Sequence, residues 1–350
     1  VHKRELDLRR LAQEPQWFPH RYDATRDVIQ FIELSREDHR SAVFATDEYL
    51  PKDRRIRPVN RNEAVKAAGP GAPLHFILHS AFCCSTMLAR LLDQPCSATT
   101  FKEPMILNDI VGIRRRGAES RVVAELLDNA LGLLARPFES GERVILKPSN
   151  IINSLAPGLL ALRPQSAMLL LYAPLETFVT SVAKKGLDGR LWVRELAAGQ
   201  RTDRLLERLG FSDAELFKQS DLQIAASTWL AQQMVFNQMI TAAPHRVRTL
   251  DSQTLLDRPQ EVLTTLAELF DLATPEPSWR DVLSGPAFNS HAKTGQAFSV
   301  DDRKAEYSAA ASAHADEISK VVRWAEIVAQ STDVPLTLGN GLLDHFELAE

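Results

Sequence analysis

The sequence predicts an α/β protein with a mostly parallel sheet flanked by helices, and three observations predict it. Short apolar runs alternate with longer segments of helical period over about 200 residues. The runs LHFILHS (74–80), RVILK (143–147) and AMLLLY (167–172) are apolar almost throughout, as strands covered on both faces are. The first of them passes through AFCC (81–84) into a helix that begins at Ser85, the order of an anion-binding strand–loop–helix unit.

Composition bounds the class. A chain of 350 residues holds one large α/β domain or two ordinary ones. Hydrophobic residues at 45% and charged residues at 25% are the balance of a soluble globular protein. A net charge of -4, from 41 basic and 45 acidic residues, gives no reason to expect nucleic acid as a partner, while a local basic cleft for a small anion stays open. Three cysteines, Cys83, Cys84 and Cys96, make no disulfide framework and suit a reducing compartment. The charged start VHKRELDLRR has no apolar segment of signal type, and no apolar run approaches the roughly 18 residues of a membrane span. The expectation is a cytoplasmic, soluble and complete chain.

The elements follow in order. Residues 1–68 read as a helical lead-in that packs on the main domain through Trp17, Phe18, Tyr22, Phe44, Tyr49 and Leu50, with Ser35 capping a helix from 36. Residues 69–350 read as that α/β domain. After the break at AAGPGAP (67–73) come the strand at 74–80 and a helix over 85–93, where Met87, Leu88, Leu91 and Leu92 recur at helical spacing. A strand at SATTF (97–101) precedes KEP (102–104), and residues 119–135 are an amphipathic helix. RVILK leads through Pro148, Ser149 and Asn150 to a helix around 151–162. AMLLLY is the central strand, and Pro174 and Gly186 bracket the helix that follows it. A helical stretch covers 189–241, RVRTL (246–250) is a strand, 259–272 a helix, and a final helix lies near 313–330.

The chemistry begins at residues 79–88, His-Ser-Ala-Phe-Cys-Cys-Ser-Thr-Met-Leu. Free amide hydrogens at the start of the helix, with the Ser85 and Thr86 hydroxyls beside them, suit a phosphate or an ordinary capped turn. No GxxxxGK[ST] is present, so a kinase or GTPase is disfavoured, and no GxGxxG follows a strand.

Over residues 74–272 the chain resembles sulfotransferases that use 3′-phosphoadenosine 5′-phosphosulfate. The loop Ala81-Phe82-Cys83-Cys84-Ser85-Thr86-Met87-Leu88 is similar to the family's donor loop. The run 247–272, with Leu256, Asp257, Pro259 and Leu272, is similar to its closing strand, turn and helix, and MLLLYAPLETFVTS (168–181) to its strand, Arg-Asp-Pro turn, helix and serine. The resemblance implies a P-loop NTPase-like sulfotransferase fold, this nucleotide as donor and a small-molecule hydroxyl or amine as acceptor, without a metal. It also shows departures. Phe82 stands where the loop has a cation, Cys84 where it has glycine, and Tyr172 where an arginine grips the 3′-phosphate. The partner serine of that arginine is Thr180 or Ser181. Lys102, Lys147, Lys184, Lys185, Arg190 and Lys293 are the cations available to compensate.

Candidate roles follow from the needs of sulfuryl transfer: a base, charge around the sulfuryl group, and alignment. Glu103 is the candidate base or a salt-bridging surface residue, with Lys102 beside it as a catalytic cation. His79 is a second base or a hydrogen-bonded core histidine. Cys83, Cys84, Ser85 and Thr86 line the donor loop, and Lys147, Thr180, Ser181 and Lys293 are the further donor contacts. Cys83 and Cys84 are small turn residues or, at a helix N-terminus, reactive thiols; their spacing is not that of a metal site. The loops expected to meet the acceptor are 105–118, 187–220 and 273–300. The rival readings are a non-catalytic or regulatory member of the same fold, and a P-loop transferase with another phosphorylated donor. No sequence feature sets the oligomeric state.

Overall fold

The computed structural model describes residues 2–273, 278–289 and 313–344. Eight strands are named: β1 (Trp17–Asp23), β2 (Val28–Glu33), β3 (Ile56–Asn60), β4 (Leu74–His79), β5 (Ala98–Lys102), β6 (Arg143–Lys147), β7 (Met168–Tyr172) and β8 (Val247–Asp251). They form a three-stranded sheet, β1-β2-β3, and a five-stranded sheet of order β5-β6-β4-β7-β8, with helices between its strands. β6 pairs in parallel with both β5 and β4, so the fold is α/β. The chain divides into two compact units, Val1–Ile77 with Thr86–Met168 and Leu266–Val282, and Leu78–Ser85 with Leu169–Thr265 and Leu283–Glu350.

In the first unit the lead-in differs from the helical segment expected of it. β1 and β2 are antiparallel, with Tyr22 opposite Ile29 and an irregularity between Pro19 and Arg21, and β3 extends the sheet antiparallel to β2. Pro19 obscures the alternation that marks a half-buried strand, which is why the pattern did not read as one. Ser35 caps the helix Arg36–Ser41 in a capping box with Asp38. Arg36 ties that helix to the unit, reaching Asp93 at 3.2 Å and the buried Glu142 at 2.6 Å. Arg136 is buried and donates to the carbonyls of Ala12 at 3.0 Å and Pro70 at 2.9 Å. Residues 105–118, expected as an acceptor loop, instead contain the helix Met105–Arg115, whose Ile106, Leu107, Ile110 and Val111 are buried. The helix expected from 151 opens with a tight 3-10 turn, Asn150–Leu155, before Ala156–Leu162.

The second unit is mostly helical around β7 and β8. β7 is buried along its whole length, as its unbroken apolar run requires. The helix Leu175–Lys184 follows Pro174, and the left-handed Gly186 (φ 56°) turns the chain into the helix Gly186–Thr202. The long helix Asp221–Ala242, capped by Ser220 and Gln223, packs on both of these and on the final helix Ala315–Ser331. Its Trp229 is fully buried and donates its indole N–H to the carbonyl of Ala173 at 2.8 Å, just past the end of β7. Among the described residues no helix is long and apolar enough to cross a membrane.

Candidate functional site

The loop between β4 and the helix Ser85–Leu92 carries unusual backbone geometry. Ala81, Phe82 and Cys84 have φ of 74°, 53° and 62°, left-handed values that side chains with a Cβ seldom adopt. Turns that mix left- and right-handed residues are a form that anion-binding concavities take, although here the Ala81 amide is already bonded to the His79 ring. Packing holds the strain in place. Ser80 donates its amide to the Leu171 carbonyl at 3.0 Å and accepts the Ala173 amide at 3.0 Å on its hydroxyl. Gln232 reaches the Ser80 carbonyl at 3.3 Å. Ser85 and Thr86 are buried at the helix start.

The candidates around this loop fall into distinct states. Cys83 is buried, with its sulfur 3.4 Å from the Leu171 carbonyl oxygen as a hydrogen-bond donor. The His79 Nδ1 accepts the Ala81 amide at 3.1 Å, which leaves the ring proton on Nε2 in the neutral form. Phe82 packs edge-on against Phe178, with ring centroids 5.5 Å apart, and against Trp192 at 5.1 Å. The Tyr172 hydroxyl accepts the Leu338 amide at 3.4 Å, and burial raises its pKa above the ordinary phenol value. Ser181 donates to the Thr177 carbonyl at 2.7 Å. Thr180, by contrast, is fully buried and its hydroxyl finds no hydrogen-bond partner among the described residues. Lys184 and Lys185 are exposed, and Arg190 pairs with Glu317 at 3.0 Å. Lys293 lies outside the described residues.

A separate cluster forms in the first unit at the carboxyl ends of β5 and β6. Parallel pairing sets Lys102 opposite Lys147, and the Glu103 amide donates to the Lys147 carbonyl at 2.7 Å. Glu103 is itself left-handed, with φ 54°, and its carboxylate makes an ion pair with the Lys147 ammonium. The Lys147 side chain is 1% exposed and that of Glu103 16%, so water reaches the carboxylate and not the cation. The Lys147 ammonium also lies 5.0 Å over the ring of Phe44. Glu103 and Lys147 are thus brought together. Asn150 is the first residue of its 3-10 turn, and the capping position belongs to Ser149.

Lys102, expected to steady a donor, is held elsewhere. Its buried ammonium donates to the carbonyls of Arg40 at 3.1 Å and Ala42 at 2.7 Å. Burial, with the charge of Arg90 beside it, lowers its pKa to about 7. No group of three or more metal-ligating side chains occurs among the described residues. Sequence reasoning took Phe44 and Tyr49 for packing anchors and missed their place beside the Glu103 pair. Only the contacts of residues distant in sequence reveal it.

No protein-family profile matches the chain, and no curated protein sequence matches it. Solved structures similar to it include sulfotransferases. Sulfotransferase STF9 from Mycobacterium avium has a TM-score of 0.43 at 14% identity, over 71% of this chain and 78% of that one. The sulfotransferase domain from the curacin biosynthetic pathway has 0.38 at 14%, over 71% and 99%. Sulfotransferase STF1 from Mycobacterium tuberculosis H37Rv has 0.39 at 14%, over 63% and 72%.

Proposed function

We propose that the protein transfers a sulfuryl group from 3′-phosphoadenosine 5′-phosphosulfate to a hydroxyl or amine of a small molecule. The observation that carries this reading is the left-handed run Ala81, Phe82 and Cys84 leading into a helix that starts with buried Ser85 and Thr86. A turn of this kind opening a helix suits an anion, which the amides at the helix start would receive. The Thr180 hydroxyl in the same unit, buried and without a hydrogen-bond partner among the described residues, also suits a phosphate oxygen, since a buried hydroxyl left unbonded is costly. Loop amides, Ser85, Thr86 and Thr180 are the groups assigned to the donor, which supplies the sulfuryl group when bound. Glu103 is the base that takes the acceptor proton, and Lys147 holds its carboxylate.

A second reading has its own support. Phe82 and Tyr172, at the positions of two donor cations in the resemblance, are engaged by Phe178, Trp192 and Leu338. That favours a member of the fold that keeps the scaffold and does no transfer.

Calorimetric titration with 3′-phosphoadenosine 5′-phosphate separates the two. Transfer predicts saturable binding that Thr180→Val weakens about tenfold. Glu103→Gln then retains that binding and loses about 10²- to 10⁴-fold in turnover, read as nucleotide release with a panel of alcohols and amines. Absence of nucleotide binding would leave the second reading standing.

A further inference from the structure

The helix Gly186–Thr202, within the second unit, carries apolar side chains on the face that its packing leaves outside. Its Val193, Leu196, Ala197 and Gln200 are buried, and it packs on the helices Leu175–Lys184 and Asp221–Ala242. At 100° per residue, Leu187 and Leu191 fall on the opposite side, one turn apart, and they are 70% and 55% exposed. Glu195 and Ala198 continue that exposed stripe, and Lys184 and Lys185 stand exposed at the join with the preceding helix. The short helix Asp213–Lys218 is held alongside by Arg201, which pairs with Asp213, and by Arg194, which donates to the Gln219 carbonyl at 2.9 Å. Its Phe217 is 86% exposed. Single exposed leucines are ordinary on a protein surface. Two leucines one turn apart, on a helix whose other face already fills a core, are the mark of a surface that meets a partner.

We propose that a second copy of this chain docks on this face, the two Gly186–Thr202 helices running antiparallel across a two-fold axis over Gly189. Charge selects the occupant, because the stripe is cationic at one end, at Lys184 and Lys185, and anionic further along, at Glu195. Antiparallel pairing about Gly189 sets each Leu187 against Leu191 of the second copy and brings each Glu195 level with Lys184 and Lys185 of the second copy. Both contacts then repeat across the axis, as a self-complementary patch requires. Parallel helices would set Lys184 against Lys184 and Glu195 against Glu195, which like charge opposes. Arg194, beside Glu195, is already held by Asp221 at 2.8 Å, so it brings no uncompensated charge to the contact. An anionic lipid surface is the poorer occupant, since Asp188 and Glu195 are exposed among the leucines. The patch is small, so the dimer is a weak one. Pairing is independent of transfer chemistry, because it uses none of the side chains assigned to donor or base.

The test is sedimentation velocity of the full chain over a concentration series. The wild type should dimerise with a Kd of about 10 μM, and Leu191→Asp should weaken that at least about tenfold. Leu191 is exposed, so the variant should keep the wild-type melt by circular dichroism. Glu195→Lys should weaken self-association, and so should Lys184→Glu combined with Lys185→Glu. An equimolar mixture of those two charge variants should pair as the wild type does, because opposite charges then meet at both ends of the contact. A wild type that stays monomeric up to about 200 μM overturns the proposal. A dimer that Leu191→Asp and Glu195→Lys both leave intact overturns it too, since its contact lies elsewhere, and so does a mixture of the charge variants that fails to pair. Monomeric wild type that sediments with phosphatidylglycerol vesicles, and loses them on Leu191→Asp, would give the face to a lipid surface instead.

Discussion

Glu103 and Lys147 form an ion pair in which the cation is sealed from water and the anion is not. They are 44 residues apart, and the parallel register of β5 and β6 brings them together. The burial difference predicts unequal costs. Glu103→Leu strands a buried ammonium and should destabilise by about 3 kcal/mol, while Lys147→Met leaves a carboxylate that water reaches and should cost about 1 kcal/mol. The double variant should lie closer to wild type than Glu103→Leu does. Urea unfolding of the three variants checks this, and a larger loss for Lys147→Met would contradict it.

Cys84 is held at φ 62° in the loop before the Ser85 helix, where a side chain with a Cβ is strained by roughly 1–2 kcal/mol. Cys84→Gly removes that strain at some entropic cost in the unfolded chain, so it should be neutral or stabilise by up to about 1 kcal/mol. Cys84→Val, β-branched at the same φ, should destabilise by about 1–2 kcal/mol. Thermal melting of both variants reads the difference. Equal midpoints would mean the loop does not keep this geometry in solution.

What the sequence made legible follows from how far each signal travels along the chain. β7 was plain because Met168–Tyr172 is an apolar run buried at every position, and the cap at Ser35 because its partner Asp38 is three residues away. The loop and its helix were legible for the same local reason. β1 was hidden by Pro19, and the helix Met105–Arg115 by the expectation of a loop meeting the acceptor over 105–118, although Pro104 precedes it and the buried Ile106, Leu107, Ile110 and Val111 have helical spacing. The site needed contacts that no window contains. Lys102 looked like a donor cation until the carbonyls of Arg40 and Ala42, about 60 residues upstream, claimed its ammonium. The neighbours of Glu103 proved to be Lys147 and the ring that covers it, Phe44.

His39 shows how burial couples to pH. Its ring is buried among Phe18, Phe101 and Phe138, with centroids 4.7, 4.9 and 5.8 Å away, and its Nε2 has no hydrogen-bond partner among the described residues. Burial, with the charge of Lys102 adding to it, lowers its pKa to about 3, against about 6.5 in an unfolded chain. Between those values the unfolded chain binds a proton that the folded one refuses. The stability His39 contributes as a neutral ring is therefore complete above about pH 6.5 and declines as pH falls through the window. From pH 7 to pH 5 the single group accounts for a loss of about 2 kcal/mol. His39→Leu keeps an apolar side chain and cannot take up the proton, so its unfolding free energy should fall by about 2 kcal/mol less over the same interval. Urea unfolding of both proteins at pH 7 and pH 5 supplies the comparison, in which the other histidines cancel. Parallel losses would place the ring of His39 in contact with water.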